Sequence, residues 1–496
     1  MELQFKSTKC PYLASAICEV ASTEVTQEIR LSDGMPDIGR VLASWGQILI
    51  RSKEWMQDQV TVSGGLMVWV LYAPDDGTEP RSTDIWIPFQ LKWHLHDAPS
   101  DGVLRLNPVL RFVDSRGVSA RKIMVRAGVA ARLEACYATE AAVYEPDELP
   151  EDIQTLCNTY PLRLPVEMGE KTFLLDEDLT ASADIARILS YTITPILQEK
   201  RVTGDKIVMR GTAVLQLVYR CPEGRIRTTE IEVPISQYAQ LESSYDSDAA
   251  ADVLVAVTSL ELDQNDGNQL RLKCGMVAQY MISNRILITI AEDAYSPRRK
   301  TGLKQEMLQL PAILEQRAET VPVQYQFPGI CGEIVDVRAW PDFPGISRSD
   351  TCAALALPAV FQLLYYAEDG SLQCASGRWQ GNLQLDADAE CKIDAFMPQC
   401  LNVQAMAGLT DIGLMGKYQM QIDTTSNHGI TMITALEMGE LEKADPTRPS
   451  LILCRTEGES LWAVAKRCGS TVADIQRAND LQEVPKGNQM LLIPVN

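Results

Sequence analysis

Most of the chain alternates between short apolar runs and polar turns. Segments of five to nine residues rich in Val, Ile, Leu and Tyr are separated by Asp, Gly, Pro and Ser, which is the pattern of strands joined by turns. Within Lys122-Ile123-Met124-Val125-Arg126 and Leu270-Arg271-Leu272-Lys273-Cys274, charged and apolar residues take turns, as they do on a sheet with one wet face. Near the C-terminus the period changes. Leu461, Val464, Ala465 and Cys468 fall at i, i+3, i+4 and i+7, one face of a helix. The chain therefore reads as a mainly β body followed by a small α+β module.

The β pattern repeats. Gly64-Gly65-Leu66-Met67-Val68-Trp69-Val70-Leu71-Tyr72 returns as Gly211-Thr212-Ala213-Val214-Leu215-Gln216-Leu217-Val218-Tyr219, and again as Pro358-Ala359-Val360-Phe361-Gln362-Leu363-Leu364-Tyr365-Tyr366. The tyrosines are 219 − 72 = 147 and 366 − 219 = 147 apart, and each run leads to a turn glycine, Gly77, Gly224 or Gly370. Asp37-Ile38-Gly39-Arg40-Val41-Leu42 also returns as Asp184-Ile185-Ala186-Arg187-Ile188-Leu189, and Asp58, Gly64 and Gly128 return as Asp205, Gly211 and Gly275. The third copy lacks the Asp-Ile-x-Arg element and is diverged. That element predicts one short helical turn with the aspartate at its start, and Gly64 and Gly211 predict a bulge or a close backbone approach. A repeat of this size can bury its own core, so three tandem antiparallel β-sandwich or barrel-like domains are expected. Their bounds would be 1–147, 148–294 and 295–441. A proline-containing linker (442–450) and a C-terminal module (451–496) would follow.

These repeats resemble the SPOCS domain of spore-forming clostridia and their relatives, on the strength of the Asp-Ile-x-Arg-Val/Ile-Leu element and the glycine-to-tyrosine strand. SPOCS domains are often repeated and often followed by LysM. The resemblance implies a sporulation adaptor acting in the mother cell. There it would help the coat-basement ATPase SpoIVA encase the forespore, with other coat proteins as further partners.

The C-terminal module resembles LysM in four ordered blocks. Glu457-Gly458-Glu459-Ser460-Leu461-Trp462 opens a helix with Ser460 as its N-cap, and Gly469 stands where a left-handed cap is needed. Thr471-Val472-Ala473-Asp474 opens a second helix that ends near Asn479-Asp480, and Leu491-Leu492-Ile493-Pro494 closes the module as a strand. Glu459-Ser460 replaces the usual Asp-Thr, Asn488 a usual glycine, Leu453 a common tyrosine, and Arg455 an apolar residue. The resemblance implies a groove between the loop before the first helix and the loop after the second. It nominates Gly458, Glu459, Ser460, Leu461, Trp462, Asn479, Asp480 and Leu481 as partner- or glycan-binding residues. Two ligands follow: a SpoIVA-like morphogenetic ATPase or, as the alternative, the N-acetylglucosamine polymer of peptidoglycan.

Charge narrows the partners. The net charge is 45 − 66 = −21, which argues against nucleic acid, whose phosphates need a basic face. The module itself is balanced, with Arg455, Lys466, Arg467, Arg477 and Lys486 against Glu457, Glu459, Asp474, Asp480 and Glu483. The first residues are polar and no run of 18 or so apolar residues occurs, so neither a signal peptide nor a transmembrane segment is expected, and the location implied is cytosolic. Thirteen cysteines without a C-x-x-C pair read as reduced, partly buried thiols, with later cross-linking the alternative.

No catalytic constellation appears. His94 and His96 share one strand face without a third ligand, and His428 reads as a turn residue, so no metal is expected. Asp75-Asp76 and Glu177-Asp178 read as solvated turns, and Arg298-Arg299-Lys300 as a solvated linker. No phosphate-binding or dinucleotide fingerprint follows a strand. The chain reads as non-enzymatic and without a cofactor.

Overall fold

A segment with one apolar face needs a cover, and in an all-β chain the nearest cover is a second sheet. The computed structural model describes residues 2–96, 99–145, 149–349, 351–386, 391–426, 429–442, 449–456, 458–481 and 489–495. It meets that need three times with one plan.

After β1 (Glu2–Gln4), the first section contains β2 (Lys6–Arg30), β3 (Ile38–Met56), β4 (Gln59–Pro74), β5 (Arg81–His94), β6 (Val103–Ser119) and β7 (Lys122–Glu145). They form the antiparallel sheets β2–β7–β6 and β3–β4–β5. Val60, Leu66 and Val68 of one sheet share a core with Val125, Ala127 and Leu133 of the other. The middle section contains β8 (Gln154–Thr180), β9 (Arg187–Arg220), β10 (Ile226–Tyr245), β11 (Ala250–Asp266) and β12 (Gln269–Tyr295). Its sheets are β11–β12–β8 and β10–β9, and β9 doubles back at Gly204 (φ 61°) to cover the ground of both β3 and β4.

The third section holds β13 (Arg299–Leu308), β14 (Ile313–Pro328), β15 (Glu333–Pro341), β16 (Gly345–Arg348), β17 (Cys352–Tyr366), β18 (Leu372–Asp386), β19 (Cys391–Ala407), β20 (Asp411–Ser426) and β21 (Ile430–Leu441). Here β14–β20–β19 faces a sheet in which β17 pairs with β15, β16 and β18. One more sheet, β1–β21–β13, joins the start of the chain to the end of the body. Phe5, Ile433 and Leu436 there pack against Ala291 and Ala294 of β12.

The architecture is mainly β, and among the described residues no sheet closes into a barrel: the layers are open sheets stacked as sandwiches. The Asp-Ile-x-Arg element is not the expected helical turn. It leads into a strand, because Ile38 and Ile185 are needed as buried residues and the backbone is taken by neighbouring turns. The Ile185 N–H donates to the Gly267 carbonyl at 3.2 Å, and the Asp37 carbonyl accepts from Asp75 N–H at 2.9 Å. Gly64 meets both expectations at once. A Cβ there would lie 2.6 Å from the Leu49 carbonyl, and the β3–β4 register slips at Ile50/Ser52 beside it. Gly77, Gly224 and Gly370 all take left-handed φ, at 72°, 90° and 77°, and close three similar four-residue turns.

Two further junctions between the three sections differ in character. One is apolar, where Leu42, Trp45, Leu189, Val218, Leu364 and Leu372 pack together. Positions 42, 189 and 336 are 147 apart, and the third carries Asp336 instead of leucine. Its carboxylate accepts Trp45 Nε1–H at 2.9 Å and Arg338 Nε–H at 2.8 Å. The other meeting place is ionic. Arg105, whose side chain is fully covered, donates to Asp252 at 2.7 Å and to Glu134 at 2.9 Å. Lys200 also reaches Asp252, at 3.1 Å. Arg132 binds Asp394 and lies over the Phe396 ring.

The sequence-level candidates for chemistry sit in ordinary places. His94 and His96 are exposed, and among the described residues no group of three or more metal-ligating side chains is assembled. Asp76 accepts from Thr78 within its turn, and Asp178 pairs with Arg271. Arg299 is not a linker residue: it enters β13 and binds Asp152 at 2.7 Å. The thirteen cysteines are all free, with Cys10, Cys136, Cys221 and Cys274 buried. Burial pushes the Cys274 thiol up to about 12.

At the C-terminus, β22 (Leu451–Arg455), α1 (Leu461–Cys468), α2 (Val472–Ala478) and β23 (Met490–Pro494) form a βααβ module. Residues 443–448 of the linker, His428, Glu457, Lys486, Glu483 and Asn488 lie outside the described residues.

Candidate functional site

Local capping builds the module. Ser460 accepts from Ala463 N–H at 3.2 Å and starts α1, and Gly469, at φ 66°, ends it in the left-handed region. Thr471 caps α2: its hydroxyl accepts from Asp474 N–H at 3.0 Å and donates to the Asp474 carboxylate at 2.8 Å, two bonds between N-cap and third helical residue. Leu461, Val464, Ala465 and Ile475 then bury against Leu491 and Ile493. This inward stripe is the one that the i, i+3, i+4, i+7 spacing specifies.

The nominated groove residues divide by role. Gly458 (φ 87°) and Asp480 (φ 49°) are exposed turn residues. Glu459 pairs with Arg467 at 3.0 Å. Leu461 is buried, and Leu481 packs on the same core, so the turn before α1 and the turn after α2 border one patch. Asn479 is committed to the backbone. It donates to the Ile475 and Leu492 carbonyls at 2.8 and 2.7 Å and accepts from Leu492 N–H at 2.8 Å, fastening α2 to β23.

Trp462 faces the β body. Its indole N–H donates to Asp293 at 2.7 Å, and its ring meets Tyr295 edge-on with centroids 4.9 Å apart. Lys466, one turn on, reaches both Asp293 oxygens at 2.6 and 2.8 Å, and Tyr295 donates its hydroxyl to the Ser470 carbonyl at 2.8 Å. Tyr295 is counted in the module's own core. Burial, and then the Asp293 charge beside it, push its phenol up to about 12. The module is thus seated on the end of β12.

Sequence reasoning missed this seat, because Asp293 and Tyr295 carry no motif and lie more than 160 residues away. It also missed the outer face of the two-stranded sheet. Leu451 (56% exposed), Leu453 (61%), Met490 (51%) and Leu492 (44%) all point away from the core. A signal was present. A two-stranded sheet covered on one side only should alternate, yet Leu451-Ile452-Leu453 is apolar on both faces.

The architecture is a body of stacked β sandwiches carrying a seated βααβ module. Family comparison makes the assignment specific: the SipL SPOCS-domain family matches residues 184–264, and the LysM-domain family matches residues 456–494. The two matches together support a SipL-like combination of SPOCS and LysM domains, which fits a sporulation protein with a module of the peptidoglycan-binding class. Comparison with curated proteins and with solved structures gives no match.

Proposed function

We propose that the protein is a non-enzymatic sporulation adaptor. Its LysM module would hold a SpoIVA-like coat morphogenetic ATPase at the forespore surface, in the mother-cell cytoplasm. The three β sections would all be SPOCS copies, divided at 147 and 294, and would offer assembly surfaces to further coat proteins. The observation that carries a protein ligand over a sugar is the outer LysM sheet face. Leu451, Leu453, Leu492 and Met490 form an apolar patch, the kind of surface that marks a protein contact. The near-neutral module also presents this face clear of the −21 charge carried by the whole chain, which would otherwise repel an acidic protein.

The second reading, peptidoglycan binding, is favoured by the LysM match itself. Incubating the full chain with insoluble peptidoglycan, and separately with the purified ATPase, distinguishes the two. Capture of the ATPase that is lost in Leu453→Glu supports the adaptor. Retention on peptidoglycan without ATPase capture sinks it.

A further inference from the structure

The LysM sheet has two edges, and they are not alike. Among the described residues β22 and β23 pair only with each other, so each has an edge turned away from its partner. A side chain closes the β23 edge: Asn479 accepts from Leu492 N–H at 2.8 Å and donates to the Leu492 carbonyl at 2.7 Å. Leu492 therefore turns its backbone groups away from β22. In an antiparallel pair the residue opposite such a position does the same, and that residue is Leu453. The bonds at the two ends of the ladder agree. Val495 N–H donates to the Ser450 carbonyl and Thr456 N–H to the Gln489 carbonyl, so the even-numbered residues of β22 bond inward. The N–H and C=O groups of Leu451, Leu453 and Arg455 face out along the free edge. Among the described residues only the Cys454 thiol touches one of them, the Arg455 carbonyl at 3.7 Å.

A row of unanswered backbone groups is a template for a further strand. The side chains of the same three residues point outward. Leu451 and Leu453 are 56% and 61% exposed, and Arg455 is exposed without an ionic partner among the described residues. We infer that the β22 edge takes an extended segment of a partner protein as a third, antiparallel strand, of the form acidic-x-apolar-x-apolar. Directly opposite residues share a face. The acidic residue then lies beside Arg455, and the two apolar ones lie beside Leu453 and Leu451 and widen the apolar face. Leu453 and Arg455 are two of the positions at which the module departs from the LysM pattern, and both belong to this edge. That the partner is the coat ATPase rests on the adaptor reading above; the edge and the form of the strand do not.

The test adds a fluorescein-labelled peptide, Thr-Asp-Thr-Val-Thr-Val-Thr, to the full chain and reads anisotropy together with hydrogen exchange. Expected is saturable binding that slows exchange of the Leu451, Leu453 and Arg455 amides by about tenfold and leaves α1 unchanged. N-methylation of the Asp and both Val residues blocks the groups that face β22 and should abolish binding. N-methylation of the two Thr residues between them blocks the far side and should spare it. Leu453→Pro removes an N–H that β23 does not use and should weaken binding about tenfold. Lys in place of the peptide's Asp should weaken it about threefold, and Arg455→Glu should restore it. No saturable binding up to about 1 mM peptide, or equal loss from both methylation patterns, would overturn the proposal. So would protection of these amides in the chain alone that rises with its concentration, which would make a second copy the occupant. The purified ATPase separates the two readings. Captured while the three amides exchange as before, it keeps the adaptor and overturns the strand assignment. Not captured while the peptide binds in register, it sinks the adaptor and leaves the edge standing.

Discussion

Arg105→Met tests the ionic junction between the β sections. Methionine keeps most of the arginine stem, so the change removes charge with little loss of volume. Arg105 donates to Asp252 at 2.7 Å and to Glu134 at 2.9 Å from a fully covered position. Breaking such a buried pair costs about 3–5 kcal/mol, mostly because a charge is left unpaired. Here each carboxylate keeps a second cation, Lys200 at 3.1 Å for Asp252 and Arg132 at 3.5 Å for Glu134. The lower end, about 3 kcal/mol, is therefore expected, more than a hundredfold in the folded-to-unfolded ratio. Pairing the change with Asp252→Leu removes both charges and should return at least half of the loss, since a hydrophobic pair of similar volume replaces a buried ion pair well. Urea unfolding followed by far-UV circular dichroism at pH 7 measures all four corners of this cycle. An unmoved midpoint in Arg105→Met, or a double variant that loses the sum of the singles, would refute the reasoning.

Other predictions concern pH, docking and backbone. Burial alone would raise Asp252, but Arg105 and Lys200 hold it at about 2, so its contribution is present above the ordinary carboxylate range and is lost as pH falls toward 2. Asp423 behaves oppositely: burial, then the Asp252 charge, push it up to about 7, so the folded state binds the extra proton and stability falls between pH 4 and 7. Asp423→Asn should flatten that fall and stabilise the protein at pH 8 by on the order of 1–3 kcal/mol, which urea midpoints at pH 5 and 8 would check. Asp293→Ala removes the acceptor of both Trp462 and Lys466; amide exchange across α1 should speed up while the β body is unchanged, and equal exchange would show that the module is held elsewhere. Gly211→Ala would set a Cβ 2.2 Å from the Ile196 carbonyl and should cost over about 2 kcal/mol, whereas Gly413→Ala, with open space around it, should cost far less.

Local patterns determined much of this molecule. Alternation in Lys122–Arg126 and Leu270–Cys274 specified strands, because period-two apolar residues can be covered only on a sheet face. Ser460, Gly469 and Thr471 specified the helix ends, because each capping role needs a particular side chain at one position. The 147-residue spacing announced turns that recur at Gly77, Gly224 and Gly370. The Asp-Ile-x-Arg element failed as a helical turn because its isoleucines answer to cores formed by distant strands, which outweigh a local cap. Of the candidate site, the loop residues were legible, but their commitments were not. Trp462 reads the same in sequence whether it faces solvent or Asp293, and nothing local to Arg105 announces that Asp252 covers it. Those pairings join residues more than a hundred positions apart, and only the packing of whole sheets against one another brings such groups out of water together.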